Sequence, residues 1–388
     1  MDFELSDEQL QLRDAVADLC RRFDAGYWLA KDRSGEFPEE FYRAVADAGW
    51  LGVAMPQEYG GAGLGVTEAA LMMLTISESG GGMSACSSVH MNIFGLNPVV
   101  VFGTEEQKQR ALPPLIRGER KACFGVTEPD AGLNTTKLKT RAERQGDRYV
   151  VHGRKVWIST AQVADNILLL ARTTPADNVK KPTDGLSLFY TRLDRNYVDV
   201  REIDKMGRAA VDSNELVFDG LPIPVEDRIG EEGKGFGYIL HGMNPERVLV
   251  AMEAIGLGRA ALARATQYAK ERIVFNRPIG MNQSIQHPLA QCWAELEAAR
   301  LMALRAAALY DAGKPCGSEA NAGKYLSAEA AIKTCETAML THGGFGYAKE
   351  FHVERYLREA LLLRLAPITP QLILSNIAEK VLGLPKSY

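Results

Sequence analysis

Between residues 120 and 228 the chain changes its grammar, and that change limits the fold more than any other feature of its 388 residues. Short β-prone runs, Tyr149-Val150-Val151, Asn166 to Leu170, Leu186 to Tyr190 and Glu215 to Phe218, alternate with turn residues such as Gly146-Asp147 and Asp184-Gly185. No helical pattern separates these runs, so they predict an antiparallel sheet, closed as a barrel or packed as a sandwich, rather than a parallel βαβ sheet. On either side the pattern is helical. Ser6-Asp7-Glu8-Gln9 and Thr104-Glu105-Glu106-Gln107 read as capping boxes, and Pro113-Pro114 is expected to end the second helix near residue 115. After Gly230-Glu231-Glu232-Gly233, helical patterns run over 247–272, 284–312 and 318–340, with Gly313-Lys314-Pro315 as a break, and predict a four-helix bundle. The expected architecture is an α+β multidomain chain: an N-terminal all-α domain (1–115), a middle antiparallel β-barrel or sandwich domain (116–228) and a C-terminal four-helix bundle (229–388).

Lys and Arg number 45 against 49 Asp and Glu, so the net charge of -4 gives no overall attraction for nucleic acid. The six cysteines are scattered without a CxxC pair, which argues against structural zinc and a disulfide framework. The start, Met1-Asp2-Phe3-Glu4, carries no leader pattern, no apolar run approaches the ~20 residues of a membrane span, and Lys386-Ser387-Tyr388 is no peroxisomal address. The expected location is cytoplasmic. Glycine clusters at 60–65, 80–82 and 233–237 do not sit between a strand and a helix of a βαβ unit, so they read as loop and helix-entry glycines rather than a Rossmann fingerprint.

The middle segment carries the most specific pattern. Cys123-Phe124-Gly125-Val126-Thr127-Glu128-Pro129-Asp130-Ala131-Gly132 resembles the first signature of the acyl-CoA dehydrogenase family. Further resemblances follow in the family's order: Lys155-Val156-Trp157-Ile158-Ser159, Met206-Gly207-Arg208 through Phe218 to Pro222-Ile223-Pro224, Arg272-Ile273-Val274-Phe275, Gln283, Gly343-Gly344-Phe345-Gly346 and Val353 to Arg358. The resemblance implies a homotetrameric flavoenzyme holding FAD between the β-domain and the bundle. It places Thr127 and Ser159 in hydrogen-bonding reach of the flavin and packs Trp157 against it. Arg272, Phe275 and Gln283 would contact the FAD of a neighbouring subunit, with Gly343, Gly344, Thr369 and Gln371 completing the dinucleotide site. Glycine permits close backbone approach to a pyrophosphate and Arg supplies countercharge.

The family removes the α-proton of an acyl-CoA with a glutamate while a β-hydride passes to the flavin. Its commonest position for that glutamate, nine residues beyond Arg358, is occupied here by Pro367. Proline has neither a carboxylate nor an N–H to bind the thioester oxygen, which points to another donor such as Ile368 N–H or to a shifted loop. The isovaleryl-CoA and long-chain branches place the base on the helix that opens the bundle, a pattern matched by Met243-Asn244-Pro245-Glu246-Arg247-Val248. Glu246 is thus the expected base. Asn244 and Pro245 are expected to start a helix there, putting Glu246 at its positive end. Val89-His90-Met91-Asn92-Ile93 resembles a run in the isovaleryl branch, so His90, Arg247, Ala366 and Ile368 are candidate substrate contacts. Leu133-Asn134 replaces the usual Ser-Asp, which removes a hydroxyl from the cofactor side. The expected activity is dehydrogenation of an aliphatic acyl-CoA, branched or medium-to-long, with electron transfer flavoprotein as acceptor. The alternatives are an oxidase using O2 and a non-catalytic flavin- or acyl-CoA-binding relative.

Overall fold

The computed structural model describes residues 4–387. Met1 to Phe3 and Tyr388, and the terminal expectations that involve them, lie outside the described residues. Among the described residues seven α-helices form the N-terminal layer: α1 (Asp7–Cys20), α2 (Ala25–Ser34), α3 (Glu39–Asp47), α4 (Val66–Ile76), α5 (Gly82–Phe94), α6 (Asn97–Phe102) and α7 (Glu105–Ile116). Both expected capping boxes are present, Ser6 with Gln9 and Thr104 with Gln107. Pro113 and Pro114 do not stop α7, which continues to Ile116, because Ala111, Leu112, Leu115 and Ile116 are buried together and the packing holds the last turn.

Strands β1 (Ala122–Gly125), β2 (Arg141–Gln145), β3 (Arg148–Ser159), β4 (Asn166–Arg172), β5 (Leu186–Arg192), β6 (Val198–Glu202), β7 (Ser213–Pro224) and β8 (Arg228–Ile229) form one sheet in the order β6-β7-β3-β2-β4-β5-β8. The pairing is antiparallel except at β4, which takes β1 and the end of β2 as parallel neighbours. That parallel contact was not expected. It arises because β1 returns to β4 through a loop and the β2–β3 hairpin instead of a helix, so no βαβ signature exists to be read. Gly146 makes the hairpin turn at φ 65°.

The long helices are α8 (Gly235–Glu271), α9 (Gln283–Asp311) and α10 (Gly317–His342); the ribbon β9 (Ile273–Val274) and β10 (Arg277–Pro278) links α8 to α9, and residues 312–316 link α9 to α10. The shorter α11 (Val353–Leu361) and α12 (Pro370–Lys380) follow. Helix α8 packs on α9, α10, α4 and α5 and so joins the bundle to the N-terminal layer. The run Val66–Phe102 meets the length and apolarity of a membrane span, which corrects the expectation that no apolar run approaches that length. Its most apolar window is 65% buried, and Ala69 to Leu74 sit in the core shared with α8 and α9, so the apolarity serves packing between layers. All six cysteines are free and buried.

Candidate active site

The loop after β1 is fastened to β3. Val156 N–H donates to the Thr127 carbonyl (3.0 Å), and Lys155 Nζ donates to the Val126 carbonyl and to Glu128 (both 2.9 Å). The Glu128 carboxylate also accepts from Lys139 N–H (2.7 Å) and Thr140 N–H (3.0 Å). Burial pushes the Lys155 amine down to about 8 despite the carboxylate beside it. Burial would raise the Glu128 carboxyl, but Lys155 and the backbone donors hold it below its ordinary value. The register of β3 against β7 shifts between Lys155 and Ile158, and Trp157 takes φ 61° in that bulge. A bulky side chain with positive φ is an outlier, and bulges commonly re-aim a side chain. Here the result is an indole left 58% exposed, one residue beyond the Val156 N–H that holds the Thr127 carbonyl.

Ser159 Oγ accepts a hydrogen bond from Arg208 Nη2 at 3.0 Å, which leaves its own proton to donate. Arg208, given no role in the sequence reading, also reaches Ser213 Oγ (3.0 Å) and Ser87 Oγ of α5 (3.1 Å). Its signal was its place in the Met206-Gly207-Arg208 segment, but only the fold shows that it ties β3, β7 and α5. Leu133 is exposed, and Asn134 accepts from Thr136 Oγ1 (2.7 Å).

The expected helix start at Asn244 is corrected by the structure: α8 begins at Gly235, nine residues earlier, and runs through Pro245. The physical reason is packing. Phe236, Tyr238, Ile239 and Met243 join the core of the β-domain, and the close approach of Gly235 to the backbone of Ser187 and Leu188 leaves no room for a Cβ. The tertiary contacts hold the turns before Pro245, whose missing N–H leaves the His241 carbonyl without its intrahelical donor. Glu246 therefore lies inside the helix, away from the positive end that the sequence reading gave it.

On one face of α8, Glu246 and Glu253 stand two turns apart, and His90 of α5 bridges them. His90 Nε2 lies 2.7 Å from Glu246 Oε2, and Nδ1 lies 2.5 Å from Glu253 Oε1. Burial works against a charged ring, but the two carboxylates prevail and raise the His90 pKa well above 6.5. Both ring nitrogens then donate. Among the described residues Glu246 Oε1 has no hydrogen-bond partner, and the Glu246 side chain keeps 26% exposure while that of Glu253 keeps 2%. Sequence reasoning missed Glu253, although a glutamate seven residues after Glu246 within an apolar stretch is the pattern of a shared helix face.

Arg247 Nη1 donates to Asn244 Oδ1 (3.0 Å), and its Nε is buried without a partner. Lys324 of α10 reaches under the 362–369 loop to the carbonyls of Leu363 and Ile368. Burial lowers its amine to about 8. Ala366 and Ile368 are half-buried in that loop, and Ile368 N–H donates to no group among the described residues.

The remaining candidates divide: Arg272, Phe275, Gly343 and Gly344 lie where α8 and α10 end, with Gln283 at the start of α9, whereas Thr369 and Gln371 follow directly on the Lys324-tethered loop. Arg272 closes α8 and lies 5.6 Å from the Phe345 ring centroid, which brings it to the Gly343-Gly344 turn. Phe275 (φ 51°) is 94% exposed on the β9–β10 turn, Gln283 opens α9, and Thr369 caps α12 just before Gln371. Among the described residues no hydrogen bond or ion pair joins this group to Thr127, Trp157 or Ser159, so within one chain the two halves of the expected cofactor contacts stay apart.

Comparison with known proteins agrees along the whole chain. Family models of the acyl-CoA dehydrogenase N-terminal, middle and C-terminal domains match residues 6–119, 123–221 and 233–382. The chain belongs to the acyl-CoA dehydrogenase family. The acyl-CoA dehydrogenase FadE12 of Mycobacterium tuberculosis is 35% identical over 99% of this chain and 98% of its own. The caffeyl-CoA reductase-Etf complex subunit CarC of Acetobacterium woodii is 33% identical over 88% of this chain and 89% of its own. Among solved structures, glutaryl-coenzyme A dehydrogenase in its glutaryl-CoA complex superposes with a TM-score of 0.94 at 32% identity, covering 100% of this chain and 98% of the other.

Acyl-CoA dehydrogenases are FAD-dependent oxidoreductases, and the residues present fit that cofactor. The hydroxyls of Thr127 and Ser159 are uncharged donors, suited to flavin heteroatoms, and Arg208 leaves the Ser159 proton available. At the far end, Arg272 supplies a cation, and a Cβ placed on Gly343 or Gly344 would meet nothing within 4 Å, which leaves the backbone open to close approach. The N-terminus of α9 follows the β9–β10 turn on from Arg272, while that of α12 is capped by Thr369 Oγ1, which accepts from Leu372 N–H.

Proposed function

We propose that the protein dehydrogenates an aliphatic acyl-CoA, branched or medium-to-long, to the trans-2-enoyl-CoA with Glu246 as the base. The observation that carries this reading is the Glu246 carboxylate, held through Oε2 by His90 with Oε1 unpartnered, in a chain whose alternative position is Pro367. Glu246 Oε1 takes the α-proton, and the electron pair of that C–H bond becomes the new Cα=Cβ bond. FAD, when bound, accepts the hydride that leaves Cβ. Thr127, Trp157 and Ser159 hold the flavin end, and Arg272, Phe275, Gln283, Gly343, Gly344, Thr369 and Gln371 serve the dinucleotide end across a subunit boundary. Ile368 N–H supplies the donor to the thioester oxygen that Pro367 lacks, while His90, Arg247 and Ala366 shape the substrate side.

Exposed Trp293, Leu340 and Tyr347 on the bundle support a homo-oligomer, a tetramer on the family's pattern, that completes the dinucleotide site. The relative described as a subunit of an Etf complex supports electron transfer flavoprotein as the acceptor, and burial of the span-length apolar run supports a cytoplasmic enzyme. That relative is also named a reductase, so the same scaffold supports the reverse reaction as a second reading.

The test is anaerobic mixing with butyryl-, octanoyl-, palmitoyl- and isovaleryl-CoA while flavin absorbance is followed. One class of ester should bleach the flavin, and Glu246→Gln should retain FAD but lose bleaching by at least about a hundredfold, the scale of a lost general base. Normal bleaching in that variant overturns the assignment, and peroxide release in air would identify an oxidase.

A further inference from the structure

Glu246 and His90 are joined to a third group, Glu253, that the dehydrogenation chemistry does not require. A buried carboxylate behind a histidine is costly unless it is paired, and Glu253 is 2% exposed. Its carboxylate meets His90 Nδ1, and its backbone carbonyl accepts from Ser77 Oγ (2.7 Å), so it is anchored at both ends. Helix α5 offers His90 no other charge, since Ser87, Met91 and Asn92 flank it. From the loop before β7, Arg208 reaches Ser87 Oγ and acts on Glu253, and from α11 Glu359 acts on Arg208. Beside Glu246 on α8, Arg247 donates to Asn244 Oδ1 and also interacts electrostatically with Glu246 without a hydrogen bond to it. The two carboxylates are the groups in hydrogen-bonding contact with the ring.

Resting on the reading of Glu246 as the base, we propose that His90 is the positioning residue of proton transfer. As an imidazolium donating to both glutamates, it holds Glu246 ionised and fixed through Oε2, leaving Oε1 to receive the α-proton. Glu253 is the permanent countercharge. When Glu246 becomes a neutral acid after the transfer, the ring keeps one carboxylate and therefore keeps its proton, so the abstracted proton stays on Glu246. Without Glu253, that step would strip the ring of all countercharge within hydrogen-bond distance.

This arrangement fixes both limbs of the pH profile of flavin reduction. The imidazolium is the cation that faces the base, 2.7 Å from Glu246 Oε2. His90→Gln keeps an amide donor but removes the charge, so the acid limb should move to higher pH by about one unit or more. Glu253→Gln leaves His90 in place with one carboxylate, so the alkaline limb, where the ring loses its proton, should move to lower pH by about one unit or more.

The experiment is anaerobic stopped-flow flavin reduction across pH with the fastest ester of the panel, together with holoenzyme melting temperature across the same range. His90 has a raised pKa in the fold, so its contribution to stability is complete below about 6.5 and is lost as pH rises through the folded value. In Glu253→Gln that loss should begin at lower pH. A histidine needed only for packing would scale the rate equally at every pH, and that result in both variants overturns the proposal. If His90→Gln fails to retain FAD, the alkaline limb and melting profile of Glu253→Gln decide alone, and an unmoved limb refutes the role. Normal reduction by Glu246→Gln removes the base assignment itself. An inactive Glu246→Gln with unmoved limbs in the other two removes the positioning role alone.

Discussion

His352 stands before α11 with φ 65°, buried, its Nδ1 without a partner. Burial, reinforced by Arg264 and Arg355, pulls its pKa from 6.5 to about 4, so the ring is neutral in the fold. The unfolded chain binds a proton there between those values and the folded chain does not. Stability should therefore fall as pH drops from 6.5 towards about 4. His352→Asn, which tolerates the left-handed backbone without titrating, should flatten that fall, seen as a smaller difference between urea midpoints at about pH 7 and about pH 5. An unchanged difference would assign the acid sensitivity between those two pH values to groups other than His352. The sequence offers no view of this property, because the burial of His352 depends on residues brought from distant parts of the chain.

Helix α11 acts as a clasp on the glycine turn between α4 and α5. Arg355 donates to the carbonyls of Gly80 and Gly81, and Glu359 accepts from Met83 N–H (2.8 Å) and Ser84 Oγ (2.6 Å). Gly82 takes φ 60°, and a Cβ there would lie 2.6 Å from Glu359 Oε2. Arg355 also pairs with Glu359 at 3.3 Å, so Arg355→Met leaves the buried carboxylate without its countercharge and should cost about 3–5 kcal/mol, read as a lower melting temperature. Converting Glu359 to Met as well should recover only part of that loss, because the Met83 and Ser84 donors are then left unpaired. Flavin reduction should slow in the single variant, since this turn sets the start of the helix that carries His90. The cluster Gly80-Gly81-Gly82 was legible as helix-entry glycines, and the helical and β-rich stretches were legible from periodicity. The beginning of α8 was not, since Asn244-Pro245 has the local chemistry of a helix start and only packing against β5 overrides it. His90 and Glu246 were likewise found through separate motifs, but their contact spans 156 positions and no local pattern encodes it.

Arg208 links layers rather than neighbours, with one guanidinium joining Ser87, Ser159 and Ser213 while Arg358 binds Asp32 (2.8 Å) and the Met206 carbonyl (3.0 Å) on the same loop. Arg208→Met should thus weaken the junction between the β-sheet and α5 of the N-terminal layer. FAD content after gel filtration should fall and flavin reduction should slow by about tenfold or more, in line with the ~1.5–3 kcal/mol of a charge-assisted hydrogen bond. Full FAD content with an unchanged rate would confine Arg208 to a local role. Light scattering should give the mass of a multimer, and a monomer retaining full FAD would contradict completion of the dinucleotide site by a neighbour.

The loop at 362–369 is tethered by Lys324 through two carbonyls, while Glu246 and His90 sit on two packed core helices. On the proposed reading, the proton acceptor and the loop beside it belong to separate mechanical parts. Backbone carbonyls accept a lysine whatever side chains the loop carries. Changes at Ala366 or Ile368 can then retune which acyl group is admitted without moving the atom that receives the proton. In such a scaffold, selectivity can drift while the chemistry stays in place.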